Sequence, residues 1–224
     1  MVTQEEQEGL VLARLRAAGF SNQDLACTFG TYDPDFGGNH QALTMAQRYA
    51  EEFAVPMGWG LLLWGGVGVG KSHLAASILR RVVERFELSS RPIRARKWKL
   101  PALLARGRSL FEDVAEMEAL TEEIAKLDIV WLDEFATDVI GAGTYERVRA
   151  VETLYRVVDS IVEAQVGLVV TTNMSPEALI RELGRLDPTR RVEDRLRGYV
   201  IPVAVRGESY RLAQREQRLP EWAK

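Results

Sequence analysis

Residues 61–74, LLLWGGVGVGKSHL, constrain the fold more than any other stretch of this chain, because an apolar run, a glycine-rich turn and the opening of a helix follow one another without a gap. Gly65, Gly70, Lys71 and Ser72 fit the pattern G-x-x-x-x-G-K-[ST]. Across Gly65, Gly66, Val67, Gly68, Val69 and Gly70 the chain is nearly free of bulky side chains. Its successive N–H groups can therefore wrap phosphate oxygens. The helix that follows carries His73 in its first turn and adds positive potential at its N-terminus. Lys71 is spaced to reach β- and γ-phosphates as a point charge, and the Ser72 hydroxyl to ligand Mg²⁺. Such a turn needs a buried strand before it and an amphipathic helix after it, which points to an α/β fold that binds nucleotide at the C-terminal edge of a parallel sheet.

The chain has 224 residues, enough for one core with a small appendage. Its formal net charge of −3 gives no overall positive field for nucleic acid or an anionic membrane, so any DNA contact has to be local. Cys27 has no second cysteine to pair with, and His40 and His73 are too few for a zinc set. The opening MVTQEEQEGL is acidic where a signal peptide is basic, and no apolar run reaches the length of a membrane span, so a cytoplasmic location is expected.

Before the glycine turn, residues 3–18 read as an amphipathic helix with Thr3 and Glu6 as a capping box and Leu10, Val11, Leu12, Leu15 and Ala18 as its apolar stripe. Such a helix either folds back on its own core or docks a partner protein. Residues 21–39 read as a loop, in which Phe29, Tyr32 and Phe36 either wall a base pocket or pin the loop to the core. A helix is expected over about 40–53.

After the turn, IRARKW at 93–98 reads as a strand with one face toward solvent or a ligand. Arg94, Arg96, Lys97, Lys99, Arg106 and Arg108 then stand against an acidic run from Glu112 to Glu123. These are either solvated faces with ion pairs or a phosphate-contacting surface. DIVWLDEF delivers Asp133 and Glu134 at the end of an apolar strand, where Asp133 suits the Mg²⁺ shell and Glu134 suits polarising an attacking water. A long helix with Val148, Val151, Leu154, Val157, Val158 and Ile161 inward leads to a strand ending in Thr171, Thr172 and Asn173. Asn173 can orient the hydrolytic water or cap the next turn. Arg190, Arg191, Arg195 and Arg197 cluster on a later helix, so one of them can complete a neighbour's site. A last strand leads to Arg211.

CTFGTYDP, GNHQAL, the glycine turn followed by HLA, the LDE strand end, TTNMSPEAL, RRVEDRLRG and RGESYRL occur in that order over roughly residues 25–213. In this the sequence resembles the AAA+ ATPases of the DnaC/DnaI-like helicase-loader family, with the IstB-like transposition ATPases as close relatives. The resemblance implies a P-loop NTPase three-layer sandwich with a five-stranded parallel sheet; a short N-terminal helical extension (1–20), a core over 21–213 and a tail over 214–224 are expected, and, as a departure from many AAA+ proteins, no C-terminal lid domain. It implies ATP and Mg²⁺ at interfaces of a homo-oligomer. Lys71 and Ser72 would be the Walker A residues, Asp133 and Glu134 the Walker B pair, and Asn173 sensor 1. Arg195 would be an arginine finger acting in trans and Arg211 the sensor 2 arginine. Arg108, Phe111 and Tyr145 would contact single-stranded DNA. The expected activity is ATP hydrolysis used as a switch to load or remodel a replicative ring helicase. An IstB-type ATPase directing a transposase on duplex DNA, or a small-molecule P-loop kinase, are the alternatives.

Overall fold

The computed structural model describes residues 3–87, 89, 91–104, 114–135 and 144–213. Five strands form one parallel sheet: β1 (Gly60–Trp64), β2 (Ala95–Lys99), β3 (Ile129–Asp133), β4 (Gly167–Thr172) and β5 (Val200–Ala204), in the order β2-β3-β4-β1-β5. The inner strands β3 and β4 are buried at every position, as their largely apolar sequences require of strands covered on both faces. Helices α1 (Gln4–Ala17), α3 (His40–Glu52) and α4 (Lys71–Phe86) cover one face. Helices α5 (Val114–Ala125), α6 (Thr144–Glu163), α7 (Pro176–Leu186) and α8 (Arg191–Tyr199) cover the other. The expected three-layer sandwich is therefore present. Among the described residues no helix is long and apolar enough to cross a membrane.

The Thr3–Glu6 capping box closes as expected, with Thr3 N donating to Glu6 Oε2 at 2.7 Å and Glu6 N to Thr3 Oγ1 at 3.2 Å. Helix α1 lies back on α4, with Val11 and Leu15 buried and Arg14 paired with Glu87. Leu10, expected in the apolar stripe, is 47% exposed, because the buried face is centred on Val11 and Leu15 instead.

Two further expectations are corrected. Residues 21–39 are not all loop: Ser21 and Asp24 form a second capping box that starts a short helix, α2 (Asn22–Leu25), and a 3₁₀ turn follows at Phe29–Thr31. The strand expected from Ile93 begins at Ala95, since the Arg94 N–H donates to the buried Asp128 carboxylate at 2.8 Å instead of joining a ladder. The Arg108 and Phe111 expectations and the tail over 214–224 lie outside the described residues, as does the side chain of Tyr145 at the start of α6.

Candidate nucleotide site

The sheet's C-terminal edge gathers the residues that the sequence singled out. The register that pairs Lys99 with Asp133 and Leu132 with Val170 sets Asp133 beside Thr171. From β1 the chain turns through Gly65–Gly70 into α4, whose N-terminus has no side-chain cap. Its first-turn N–H groups are thus left for a ligand's oxygens. The cradle is built for glycine: a Cβ at Gly65 would stand 1.9 Å from the Val205 carbonyl oxygen, and one at Gly68 2.2 Å from Ser209 Oγ. Gly70, at φ 102°, takes the left-handed conformation that ends the turn, and the Tyr32 ring closes on it. A tight cradle, an uncapped helix end and a hard-oxygen pair below it fit a triphosphate with Mg²⁺.

Lys71 reaches back across the loop, its Nζ donating to the Gly65 carbonyl at 3.0 Å and to that of Gly66. Burial pushes its ammonium down to about 8, against the nearby Asp133 charge and with that of Arg211. Ser72 Oγ lies 3.5 Å from Asp133 Oδ1, the same oxygen that takes the Thr171 hydroxyl proton at 2.5 Å. Thr171 Oγ1 in turn accepts from Trp131 Nε1 at 3.3 Å, which fixes the carboxylate's rotamer. Glu134 follows at φ 59°, with Lys99 Nζ 3.5 Å from its Oε1. Asn173 is exposed at the end of β4.

The cleft beside the cradle, about 220 Å³, is walled by Tyr32, Phe36, Tyr210 and Arg211 as well as Lys71, Ser72 and His73. Buried Asn39 builds part of this wall: its Nδ2 donates to the carbonyls of Phe36 and Arg206, and its Oδ1 accepts the Arg206 N–H at 2.7 Å. That staple brings Phe36 edge-to-face with Tyr210, ring centroids 5.0 Å apart. Tyr210 N also donates to the Gly68 carbonyl, so the chain after β5 packs on the glycine turn and carries Arg211 with it. Tyr32 and Phe36 therefore line the cleft, whereas Phe29 packs against the core. His73 Nε2 meets the Thr28 carbonyl at 2.9 Å, and burial holds its ring below the ordinary histidine value, which ties α4 to the preceding loop.

Arg195 stands apart and does not line this cleft. Its Nε pairs with Asp159 of α6 at 2.9 Å, and the Asp159 charge with a hydrogen bond to Tyr155 raises its pKa. Arg191 stacks over the Tyr155 ring at 4.3 Å and pairs with Glu152. Arg190 and Arg197 both pair with Glu193.

Lys97 is the functional residue that local pattern does not reveal. It was expected on a strand face open to solvent or ligand, yet its side chain is 8% exposed and lies between Asp24 and Asp133. Arg94, Arg96 and Lys99 from the same basic set each pair with a carboxylate, of Asp128, Glu123 and Glu134 respectively.

A family model described as "ATPase family associated with various cellular activities (AAA)" matches residues 61–194. The chain belongs to this family. As an AAA protein it is a nucleotide-binding ATPase, and the matched span contains the glycine cradle, Asp133, Glu134 and Asn173. The chain is 28% identical over 186 residues to the replicative helicase loader DnaC of Escherichia coli (strain K12), covering 83% of this chain and 69% of that protein. It is also 28% identical over 178 residues to the chromosomal replication initiator protein DnaA of Gluconobacter oxydans (strain 621H), covering 77% of this chain and spanning 34% of that protein's length. Among solved structures, the crystal structure of the DnaC helicase loader superposes with a TM-score of 0.64 at 19% identity, covering 83% of this chain and 100% of that one. That likeness concerns the fold alone.

Cys27 also lines the cleft, and burial, helped by the Asp24 charge, pushes its thiol up to about 11. The reactive thiolate therefore appears only as pH rises through that value. Iodoacetamide is expected to alkylate Cys27 with a pH–rate midpoint near 11, about tenfold more slowly at pH 8 than an ordinary thiol once the greater intrinsic nucleophilicity of a basic thiolate is allowed for. A midpoint below 9 contradicts the burial seen here.

Proposed function

We propose that this AAA ATPase assembles as a homo-oligomer on single-stranded DNA, with ATP between neighbouring copies, and loads or remodels a replicative ring helicase in the cytoplasm. The observation that carries the reading is a divided site: Lys71, Ser72 and Arg211 line one cleft, with Asp133 next to Ser72, while Arg195 is held on α8 by Asp159 and does not line it. An arginine presented away from its own nucleotide is arranged to serve a neighbour's. Similarity to DnaC over 83% of the chain supports the helicase as partner.

In this reading the Gly65–Gly70 main chain and Lys71 bind and orient the β- and γ-phosphates. Ser72 and Asp133 hold Mg²⁺, which when bound neutralises charge on the phosphate oxygens. Glu134 takes up a proton from the attacking water, Asn173 orients that water, and Arg211 contacts the γ-phosphate. Tyr32, Phe36 and His73 flank the nucleoside. Arg195 of the adjacent copy stabilises the charge that develops on transfer. Arg108, Phe111 and Tyr145 contact single-stranded DNA by phosphate pairing and base stacking. Residues 1–20 form a helical extension packed on the core through Val11 and Leu15, 21–213 form the ATPase core and 214–224 are a tail.

Sedimentation velocity with a non-hydrolysable ATP analogue tests the reading. The chain is expected to assemble on single-stranded oligonucleotides and to capture a purified ring helicase. Assembly confined to duplex DNA points instead to a transposase-directing ATPase. A monomer under every condition overturns the proposal.

A further inference from the structure

Lys97 joins two parts of the fold that are distant in sequence. Its main-chain N–H donates to the Ala18 carbonyl at 2.7 Å, which ties the end of α1 to strand β2. Its Nζ lies 2.8 Å from Asp24 Oδ2 in α2, 3.5 Å from Asp133 Oδ2 and 3.9 Å from the Trp131 ring centroid. All three ionic side chains are nearly buried, at 8% exposure for Lys97, 10% for Asp24 and 9% for Asp133. Asp24 Oδ2 also accepts from Ser21 N and Ser21 Oγ, so the carboxylate that holds Lys97 is itself held by the α2 capping box.

One ammonium between two carboxylates cannot neutralise both. Where Asp24 takes the shorter ion pair, Asp133 keeps more of its negative charge for a divalent cation. Where Asp24 withdraws, the ammonium relaxes onto Asp133, and at this burial the interaction is poorly screened.

We propose that Lys97 is a positioning residue that couples the seating of residues 4–25 to the strength with which Asp133 holds Mg²⁺. Displacing α1 and α2 weakens the metal, and binding the metal seats α1 and α2, because the coupling is reciprocal. The inference rests on the reading of Asp133 as a metal ligand and adds a control running from the N-terminal segment to that residue.

Two measurements test it without reference to turnover. In the unaltered protein saturated with ATP analogue, hydrogen exchange over residues 4–25 is expected to slow severalfold when Mg²⁺ replaces EDTA. Unchanged exchange in that segment overturns the coupling. In Mg²⁺ titrations read by a fluorescent ATP analogue, Asp24→Asn is expected to raise the half-saturating Mg²⁺ concentration about tenfold, by one unit of log affinity. The double variant Asp24→Asn/Lys97→Met is expected to return to within about twofold of the parent, a recovery that cumulative loss of packing does not produce. An Asp24→Asn value within twofold of the parent, or no recovery in the double variant, overturns the proposal while leaving the nucleotide site intact. Absence of any Mg²⁺ dependence in the parent overturns the metal-site reading and this inference with it.

Discussion

Lys71→Met is expected to lower ATP turnover by about 10²–10³ and to abolish the thermal shift that nucleotide confers, while leaving the free protein at least as stable as the parent. The two effects have one origin. The Lys71 ammonium is buried against the glycine turn, donates to the Gly65 and Gly66 carbonyls, and is pushed down to about 8 by that burial and by the Arg211 charge. Folding alone therefore gains little from the charge, and methionine, of similar length and apolar, relieves its desolvation. The Gly66 carbonyl it releases belongs to an exposed residue and can bond to water. A triphosphate loses its one point-charge contact within the cradle. Removing a single preorganised donor of this kind typically lowers turnover by about 10²–10³. A ligand at a hundred times its Kd stabilises by about 2.7 kcal/mol, which in a domain of this size amounts to roughly 5–10 °C. Thermal scans with and without Mg²⁺ and ATP analogue should show that increment in the parent and none in Lys71→Met. A variant that retains the shift places the phosphates elsewhere.

The parts of this site that local sequence carries are those set by one strand and its turn. The GWGLLLW run before the glycines could only be a buried strand, and it lies between β4 and β5 as such a strand must. DIVWLDEF likewise placed Asp133 at a strand end, because five apolar or aromatic neighbours leave a carboxylate nowhere else to face. The capping boxes are equally local. Thr3–Glu6 stands directly before an apolar stripe, while Ser21–Asp24, the same type of signal, is masked by the turn-forming prolines and glycines around it.

Lys97 shows what local pattern cannot carry. In IRARKW its alternation with apolar neighbours suits an exposed basic face, but its partners are Asp24, 73 residues earlier, and Asp133 on the adjacent strand. Only the topology that sets the end of α1 against β2 brings them together. The Asn39 staple is similar: its partner Arg206 is 167 residues away, so the packing of Phe36 on Tyr210 follows from sheet order and from nothing in the loop itself. Buried ion pairs between distant segments are thus the features that the chain's own periodicity hides.

Arg195→Ala should separate binding from turnover. Arg195 does not line the cleft, so the affinity for an ATP analogue should stay within about twofold of the parent. Its ion pair with Asp159 is partly exposed, 39% and 21% for the two side chains, and exposed pairs of this kind add little to stability, so the fold should persist. Arg195→Lys, which keeps the charge beside Asp159, serves as a second variant for stability. Neither change touches the cradle. An arginine supplied in trans is worth about 10³–10⁵ in turnover, and DNA-stimulated hydrolysis by Arg195→Ala should fall by at least about 100-fold. Mixing then decides where the arginine acts. Chains carrying Lys71→Met lack a working cradle but keep Arg195, whereas Arg195→Ala chains have the reverse defect. If the guanidinium serves a neighbour, mixed assemblies contain junctions that unite an intact cradle with an intact arginine, and turnover rises above that of either variant alone. If it serves its own chain, no junction is complete, and the mixture stays as inactive as its parts.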